Sequence, residues 1–454
     1  MPDSTVSAFA ETVTVVGGGL AGCEASWQLA IRGIKVRLVE MRPVTPSPAH
    51  HSSDLGELVC SNSLKSENPD SASGLLKSEL EAMGSIVLRT AHETRVPAGG
   101  ALAVDRAHFA RGLTDRITRH PNIEVVREEA VEIPQGRVIV ATGPLTSPAF
   151  ESVLGELVGA ERLAFYDAAA PIVEAESLDR AVVFAQSRYD KGETPDYLNA
   201  PMSREQYDAF FDALVSARRV VAKEFEQTDL FRACQPVEEV ARTGRDSLRF
   251  GSMKPVGLTD PGTGLRPWAV VQLRSENRQA SAYNLVGFQT NLAFGEQERV
   301  FRMIPGLENA TFLRYGVMHR NTFVDAPRAL DGTLAVRNHP RVRLAGQITG
   351  TEGYCEAAAS GLFAAMNTYA DITDAAPAIL PVATAFGALL SYATDPDTAP
   401  YEPMHVNFGI LQALPQPIRN KRERYAAYAE RAHQEMSAWI TSREDLFGQE
   451  ATSG

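Results

Sequence analysis

Residues 13–22, Val-Thr-Val-Val-Gly-Gly-Gly-Leu-Ala-Gly, constrain the fold of this chain more than any other stretch. Four apolar or β-branched residues read as a short buried strand, and glycines then follow at Gly17, Gly19 and Gly22 in G-x-G-x-x-G spacing. In a βαβ unit the first glycine permits the tight turn, the second lets a pyrophosphate approach, and the third lets the helix pack close to the strand. The helix turns its positive end toward that phosphate. A second strand, 35–40, ends on an acid, and Glu40 stands where a carboxylate accepts a hydrogen bond from a ribose hydroxyl. Strand, turn, helix, strand and terminal acid together favour a dinucleotide site over a tight glycine turn in an ordinary βαβ unit. They mark Gly17, Gly18, Gly19, Leu20, Ala21, Gly22 and Glu40 as cofactor-binding.

With 454 residues the chain can bury a sizeable core in two or three domains. Its net charge of −12 excludes indiscriminate nucleic-acid binding, so an RNA partner would have to use a local basic patch. The four cysteines, Cys23, Cys60, Cys234 and Cys355, form no C-x-x-C, which argues against both a disulfide framework and a zinc site. No metal is expected. A cytoplasmic location fits best, because the N-terminal residues lack the charged and apolar regions of a signal peptide. Residues 375–394 carry no charge, but Pro377, Pro381 and the alanine content read as buried loop and helix rather than a membrane span.

After the first βαβ unit, Pro43, Pro46 and Pro48 predict an irregular segment over 41–54, with His50 and His51 as solvent-facing loop residues. Cys60 ends a short apolar run. Ser61, Asn62 and Ser63 are N-cap types, so a helix is expected to start there, with Lys65 nearby. That setting would lower a thiol pKa, although the residues alone leave a reactive and a buried structural cysteine both open. Helices are expected over 74–83 and 105–119 and strands over 123–126 and 137–140. The break at Thr142-Gly143-Pro144 lies near the ligand crevice of a doubly wound sheet.

From 165 to 313 the pattern changes to alternating runs such as 268–273 and 283–288, with a helix near 203–225, which predicts a mixed sheet in an inserted domain. Within it, Pro236 suits a first helical position. That would set Cys234 just before a helix N-terminus, with Lys254 adding positive charge and Glu238 and Glu239 opposing it. Residues 341–348 return to the nucleotide domain. The strand, glycine loop and small-residue helix over 341–369 suit a flavin better than a nicotinamide, and add Thr142, Gly143, Gly346, Gln347 and Gly350 to the cofactor site. Cys355 reads as a small buried residue. The 419–424 cluster, Arg-Asn-Lys-Arg-Glu-Arg, reads as a solvated charged helix turn, with an RNA-facing patch as the functional alternative.

The expected fold class is α/β: a Rossmann-like FAD-binding domain with an inserted mixed α/β domain. Residues 11–164 and 314–440 form the first domain, 165–313 the insertion, and 441–454 a tail.

The segments VTVVGGGLAGCEA, ELVCSNSLKSE, VIVATGPLTS, FGSMKPVGL, YNLVGFQTNL, RYGVMHRNTF and LAGQITGTEGY are distinctive, and through them the chain resembles the bacterial folate- and FAD-dependent tRNA uracil-5-methyltransferases from about residue 13 to about 424. That resemblance implies FAD in the first site, methylenetetrahydrofolate as carbon donor, NADPH or NADH as electron source, and a T-loop uridine of tRNA as substrate. It places the catalytic cysteines on Cys60 and Cys234, with Cys234 adding to uracil C6 and Cys60 helping to remove the C5 proton. Uracil C5 is a poor nucleophile until a thiolate adds at C6, and a folate methylene is two electrons short of a methyl, so thiols and flavin belong together here. Substrate contacts are expected at His319, Arg320, Tyr354 and Lys254. Basic residues from Arg314 to Arg343, with Arg266, Arg274 and Arg278, would supply local charge for RNA. Alternatives of the same chemistry are ribosomal RNA or the tRNA wobble uridine, the latter modified by a related but typically longer flavoprotein. Another class is a flavin-bound RNA-binding scaffold without catalysis, which would not need both cysteines. The sequence assigns no oligomeric state.

Overall fold

The computed structural model describes residues 11–47, 49–159, 163–168, 170–190, 196–220, 235–277, 279–316, 318–398 and 401–447, with backbone alone at 163–168, 190 and 318–321. Strand β1 (Thr12–Val16) runs into helix α1 (Leu20–Ala30), and β2 (Lys35–Glu40) returns parallel to β1 with Thr12 opposite Lys35 and Val16 opposite Val39. Val138–Val140 lies parallel on the other side of β1, His339–Leu344 beyond it, and Ile123–Arg127 outside β2. A short antiparallel strand, Ala335–Val336, completes six. Val13 to Val16 are all buried, as a central strand covered on both faces by helices requires. One covering contact is tight. A Cβ on Gly361 would stand 2.2 Å from the Ala21 carbonyl, so the helix Tyr354–Thr373 lies directly against α1 because its residues there are small.

The second sheet contains Phe184–Ala185, Tyr197–Met202, Ala269–Ser275, Ala282–Leu285, Ile172–Glu174 and Phe312–Arg314 in that spatial order. Every pairing in it is antiparallel, which corrects the expected mixed sheet. Ala269–Ser275 and Ala282–Leu285 are joined by a short loop, so the alternating runs fold as hairpin partners without a helical crossover. The helix Arg204–Ser216 covers this sheet, and its start is fixed by a capping box between Ser203 and Gln206. Two large apolar cores result among the described residues, beside a small cluster of Val96, Ala98 and Ala103. One draws on residues from Val13 to Leu154 and again from Phe323 to Leu446, and the other on residues from Val173 to Ala310. The chain leaves the first core and re-enters it, and Arg314, expected to open the second part of the first domain, lies instead in the second sheet opposite Ile172.

Two boundaries differ from expectation. After Cys60 the chain forms a strand, Ser63–Ser66, antiparallel to Ala101–Val104, and no helix. The hydroxyls of Ser61 and Ser63 accept bonds from the amides of Ser63 and Lys65 instead, a local turn that competes with helix initiation. The helix begins at Ala72, with Ser71 as its cap. The expected tail from 441 is not a tail up to Phe447. The helix Lys421–Ser442 carries Trp439 into the first core, Leu446 is fully buried there, and Arg32 Nε donates to the Leu446 carbonyl at 2.6 Å. The 375–394 stretch forms the buried helix Ala385–Thr394, and among the described residues no helix is long and apolar enough to cross a membrane.

Leu446 therefore anchors the end of the described chain. Leu446→Ala should cost about 2–5 kcal/mol and lower the thermal midpoint, while Val131→Ala at a 60% exposed site should leave it unchanged. Thermal melts followed by circular dichroism distinguish the two.

Candidate active site

The carboxyl ends of β1, β2 and Val138–Val140 open into one cleft with about 1020 Å³ of empty space. Its floor is the glycine turn. Gly17 has φ +104°, and a Cβ there would stand 2.5 Å from the Ala141 carbonyl. A Cβ on Gly22 would come within 1.8 Å of the Gly17 carbonyl. Gly19 is different: its φ is −74°, and no protein atom lies within 4 Å of its Cβ position. Gly19 also heads α1 without any side-chain cap, and Gly19, Leu20 and Ala21 all line the cleft. The unpaired amides of that first turn are thus left for a ligand.

Glu40 closes one side. Its Oε2 accepts the Gly18 amide at 2.7 Å, while Oε1 accepts the Arg42 amide at 3.0 Å and Arg42 Nε at 2.8 Å. Burial alone would raise the Glu40 pKa, but the Arg42 charge and these bonds outweigh it and hold the carboxylate below its ordinary range. Thr142 and Gly143 (φ +70°) form the opposite lip, where Thr142 Oγ1 meets Thr146 Oγ1 at 2.7 Å. Gly346, Gln347, Gly353 and Tyr354 also line the cleft. The Gly346 amide donates to Ser360 Oγ at 2.7 Å, and the Gln347 amide group donates to Glu352. The helix starting at Tyr354 lacks a side-chain cap, like α1. Gly350 is turned away from these residues and packs on Tyr401.

His50 corrects the expectation of solvent-facing histidines. It lines the cleft, bonds Ser47 Oγ at 2.8 Å, and is pushed down to about 4 by burial and the Arg42 charge. His51 remains exposed. The sequence reading singled out neither Arg42 nor Glu57, although Arg42 follows Glu40 by two residues at the strand end, a legible ion-pair spacing. Among the described residues no group of acids, histidines and cysteines is arranged to hold a metal.

Cys60 lies beside this cleft, in the segment leading from Val59, itself a lining residue. Tyr354 joins the two: its hydroxyl oxygen accepts the Cys60 amide at 3.0 Å and the Ser61 amide at 3.1 Å. Other groups grip the same segment. Arg106 Nη1 donates to the Leu58 carbonyl at 2.7 Å, Arg314 Nη2 to the Val59 carbonyl at 2.5 Å, and Arg274 Nη2 to Ser61 Oγ at 2.8 Å. Asn62 is fully buried and donates to the carbonyls of Val104 and Ser275. Cys23 and Cys355 are buried, and burial raises both thiol pKa values, Cys355 to about 11. Both are structural residues.

Cys234 falls outside the described residues, which resume at 235. The helix that follows runs Val237–Arg242 with Pro236 as its N-cap, one position earlier than expected. Glu238 turns inward to accept from Asn291 N and Thr290 Oγ1, both at 2.8 Å, and Glu239 pairs with Arg219 and Arg242. Lys254 is exposed on the turn after Ser247–Phe250. The backbone of His319 pairs with Asp167 and that of Arg320 with Tyr166, and their side chains are outside the described set. Of the expected basic run, Arg274 and Arg343 are buried, Arg343 pairing with Asp371 at 2.8 Å, and Arg314 is committed to the Cys60 segment. Arg266, Arg328, Arg337 and Arg341 are exposed, and Arg278 is outside the described residues.

The cleft fits a flavin dinucleotide: room beside Gly19 for a pyrophosphate, an acid at the end of β2 for a ribose, and a second uncapped helix start. Comparison with known families agrees. Residues 12–376 match the family described as glucose inhibited division protein A. The chain belongs to this family. It is 54% identical over 435 residues to the methylenetetrahydrofolate–tRNA-(uracil-5-)-methyltransferase TrmFO of Thermosynechococcus vestitus, covering 95% of each chain. It is 52% identical over 422 residues to the enzyme of the same name from Bacillus subtilis, covering 93% of this chain and 97% of that one. Among solved structures, GidA of Aquifex aeolicus superposes with a TM-score of 0.69 at 16% identity, over 97% of this chain and 74% of the longer one. That likeness establishes the fold.

The contrast between Gly19 and Gly22 gives a test. Gly19→Val should fold normally, since nothing of the protein occupies its Cβ position, yet should purify without flavin absorbance near 450 nm and melt like flavin-stripped wild-type protein. Gly22→Val should instead fail to accumulate.

Proposed function

We infer that this chain is an FAD-dependent enzyme that methylates uridine C5 in tRNA, with methylenetetrahydrofolate as carbon donor and NADPH or NADH as electron source. The single observation that carries the reading is the hold of Tyr354, a cleft-lining residue, on the Cys60 amide. A small-molecule FAD oxidoreductase would not need the pair Cys60 and Cys234. Identity of 54% over 95% of the chain to relatives named for that activity supports it. The target nucleoside, a T-loop uridine, and a cytoplasmic location belong to the same reading.

In this mechanism FAD, when bound, supplies the electrons that turn a folate methylene into a methyl. The protein does the rest. First-turn amides of α1 would hold the pyrophosphate, and Glu40, kept ionised by Arg42, would accept from the ribose. Cys234 adds as thiolate to uracil C6, which makes C5 nucleophilic. Cys60 takes the C5 proton after methyl transfer, and elimination then frees Cys234. The expected domain bounds assign the two cysteines to different domains, and in this reading they meet opposite faces of one base. Tyr354 keeps the Cys60 segment against the cleft. The rivals with ribosomal RNA or a wobble uridine as target, and the non-catalytic scaffold, are less favoured by the relatives' names.

The assignment of the two cysteines is tested with T-loop RNA carrying 5-fluorouridine, supplied with methylenetetrahydrofolate and NADPH. Cys234→Ala should lose turnover and the covalent RNA complex, whereas Cys60→Ala should lose turnover and keep the complex. RNA trapped on the Cys60 peptide reverses the roles, and methyl transfer from S-adenosylmethionine without folate would falsify the chemistry. The exposed Arg419, Lys421 and Arg422 at the head of the helix Lys421–Ser442 are the candidate RNA patch. Replacing all three by Ala should reduce the salt slope of tRNA binding by about 2–3, because each phosphate contact releases about 0.7–0.9 of a counterion. A filter-binding titration with an unchanged slope removes the patch from the interface.

A further inference from the structure

Cys60 is followed by a strand, so it does not head a helix of its own. Positive charge has to come from side chains. Three arginines and one acid face its segment. Arg106, at the head of the helix Arg106–Arg119, is engaged by Glu276 through Nε to Oε2 at 2.5 Å and Nη2 to Oε1 at 3.4 Å, so its charge is largely neutralised. Arg274, from the strand Ala269–Ser275, spends its guanidinium on Ser61 Oγ and on Asn62 Oδ1 at 2.9 Å. Tyr354, from its helix, brings a hydroxyl whose pKa burial raises, so it stays neutral.

Arg314 is the exception. It ends the strand Phe312–Arg314 of the second sheet, and its guanidinium crosses to the first domain, where Nη2 meets the carbonyl of Val59, the residue before Cys60. Among the described residues that is its one hydrogen bond, and no carboxylate pairs with it. Arg314 is half-buried and lines an open cavity with Arg106 and Glu276, so the donors that Val59 does not take face solvent, and its charge is not cancelled by a paired acid.

We propose that Arg314 is a positioning residue that keeps Cys60 as a thiolate, so that the inserted domain charges the flavin domain's sulfur. Burial and the neighbouring Arg106 lower Arg314's own pKa, while Cys60, Tyr354 and Glu276 oppose that. Arg314 also fixes the carbonyl immediately ahead of Cys60, so one side chain sets both the position and the charge of the thiol. The role of Cys60 in proton removal is the reading this rests on.

The test uses full-length, flavin-loaded protein and needs no turnover. Iodoacetamide alkylation of Cys60 is followed against pH by mass spectrometry of its peptide, since only the thiolate reacts. Arg314→Met and Arg314→Gln, which remove the charge while Gln keeps a donor for Val59, should raise the alkylation midpoint by about one pH unit. Below both midpoints, that is about tenfold slower labelling. Arg314→Lys, which keeps the charge, should stay near the wild-type midpoint. A midpoint unchanged in either neutral variant overturns the proposal and leaves Arg314 a structural clamp. If the midpoint shifts but Cys60→Ala retains full turnover, the proposal stands and the catalytic reading of Cys60 falls.

Discussion

The close approach of Gly22 to the Gly17 carbonyl underlies the site. With 1.8 Å between that oxygen and a would-be Cβ, the first turn of α1 can fold back on the end of β1 only where a side chain is missing. The Gly18 amide is then aimed at Glu40, and the amides beside Gly19 are left without protein partners in an open cleft. Glu40 in turn holds Arg42, and Arg42 reaches Glu57 at 3.3 Å, so the acid that would meet a ribose also ties down the irregular 41–57 segment. Removing one backbone contact would therefore disturb the phosphate cradle and the loop that leads to Cys60 together.

The Cys60 segment is where the two domains meet chemically. Its carbonyls are gripped by Arg106 and Arg314, its amides by Tyr354, and Asn62 reaches the Ser275 carbonyl while receiving Arg274. Half of these groups come from the inserted domain. The buried polar network costs desolvation, which hydrogen-bonded partners offset, and in exchange it allows few arrangements of the two domains around the thiol. An enzyme that must bring a sulfur, a cofactor ring and a base into one geometry gains from that restriction.

Much was legible from sequence because the signals were local. The G-x-G-x-x-G spacing, the acid closing β2 and the small residues of the helix Tyr354–Thr373 each act over a few residues, and each stands where its local chemistry requires. What local reading missed were positions where distant residues decide. Ser61, Asn62 and Ser63 have the chemistry of a helix cap, but pairing with Ala101–Val104 makes the next residues a strand. His50 resembles any loop histidine until Arg42 and the cleft bury it.

The sequence by itself determined the dinucleotide-binding βαβ unit and the family of the chain, because glycine spacing and apolar periodicity constrain the backbone directly. Only the tertiary structure decided which charges reach Cys60. Arg314 is 254 residues from it in the chain, and in sequence it is one of several arginines in a basic run. Only the packing of the second sheet against the first domain brings that guanidinium to Val59, while Arg343 of the same run is turned inward to Asp371. Side-chain charge acts through space over a few ångströms, and the chain's order carries no measure of that distance.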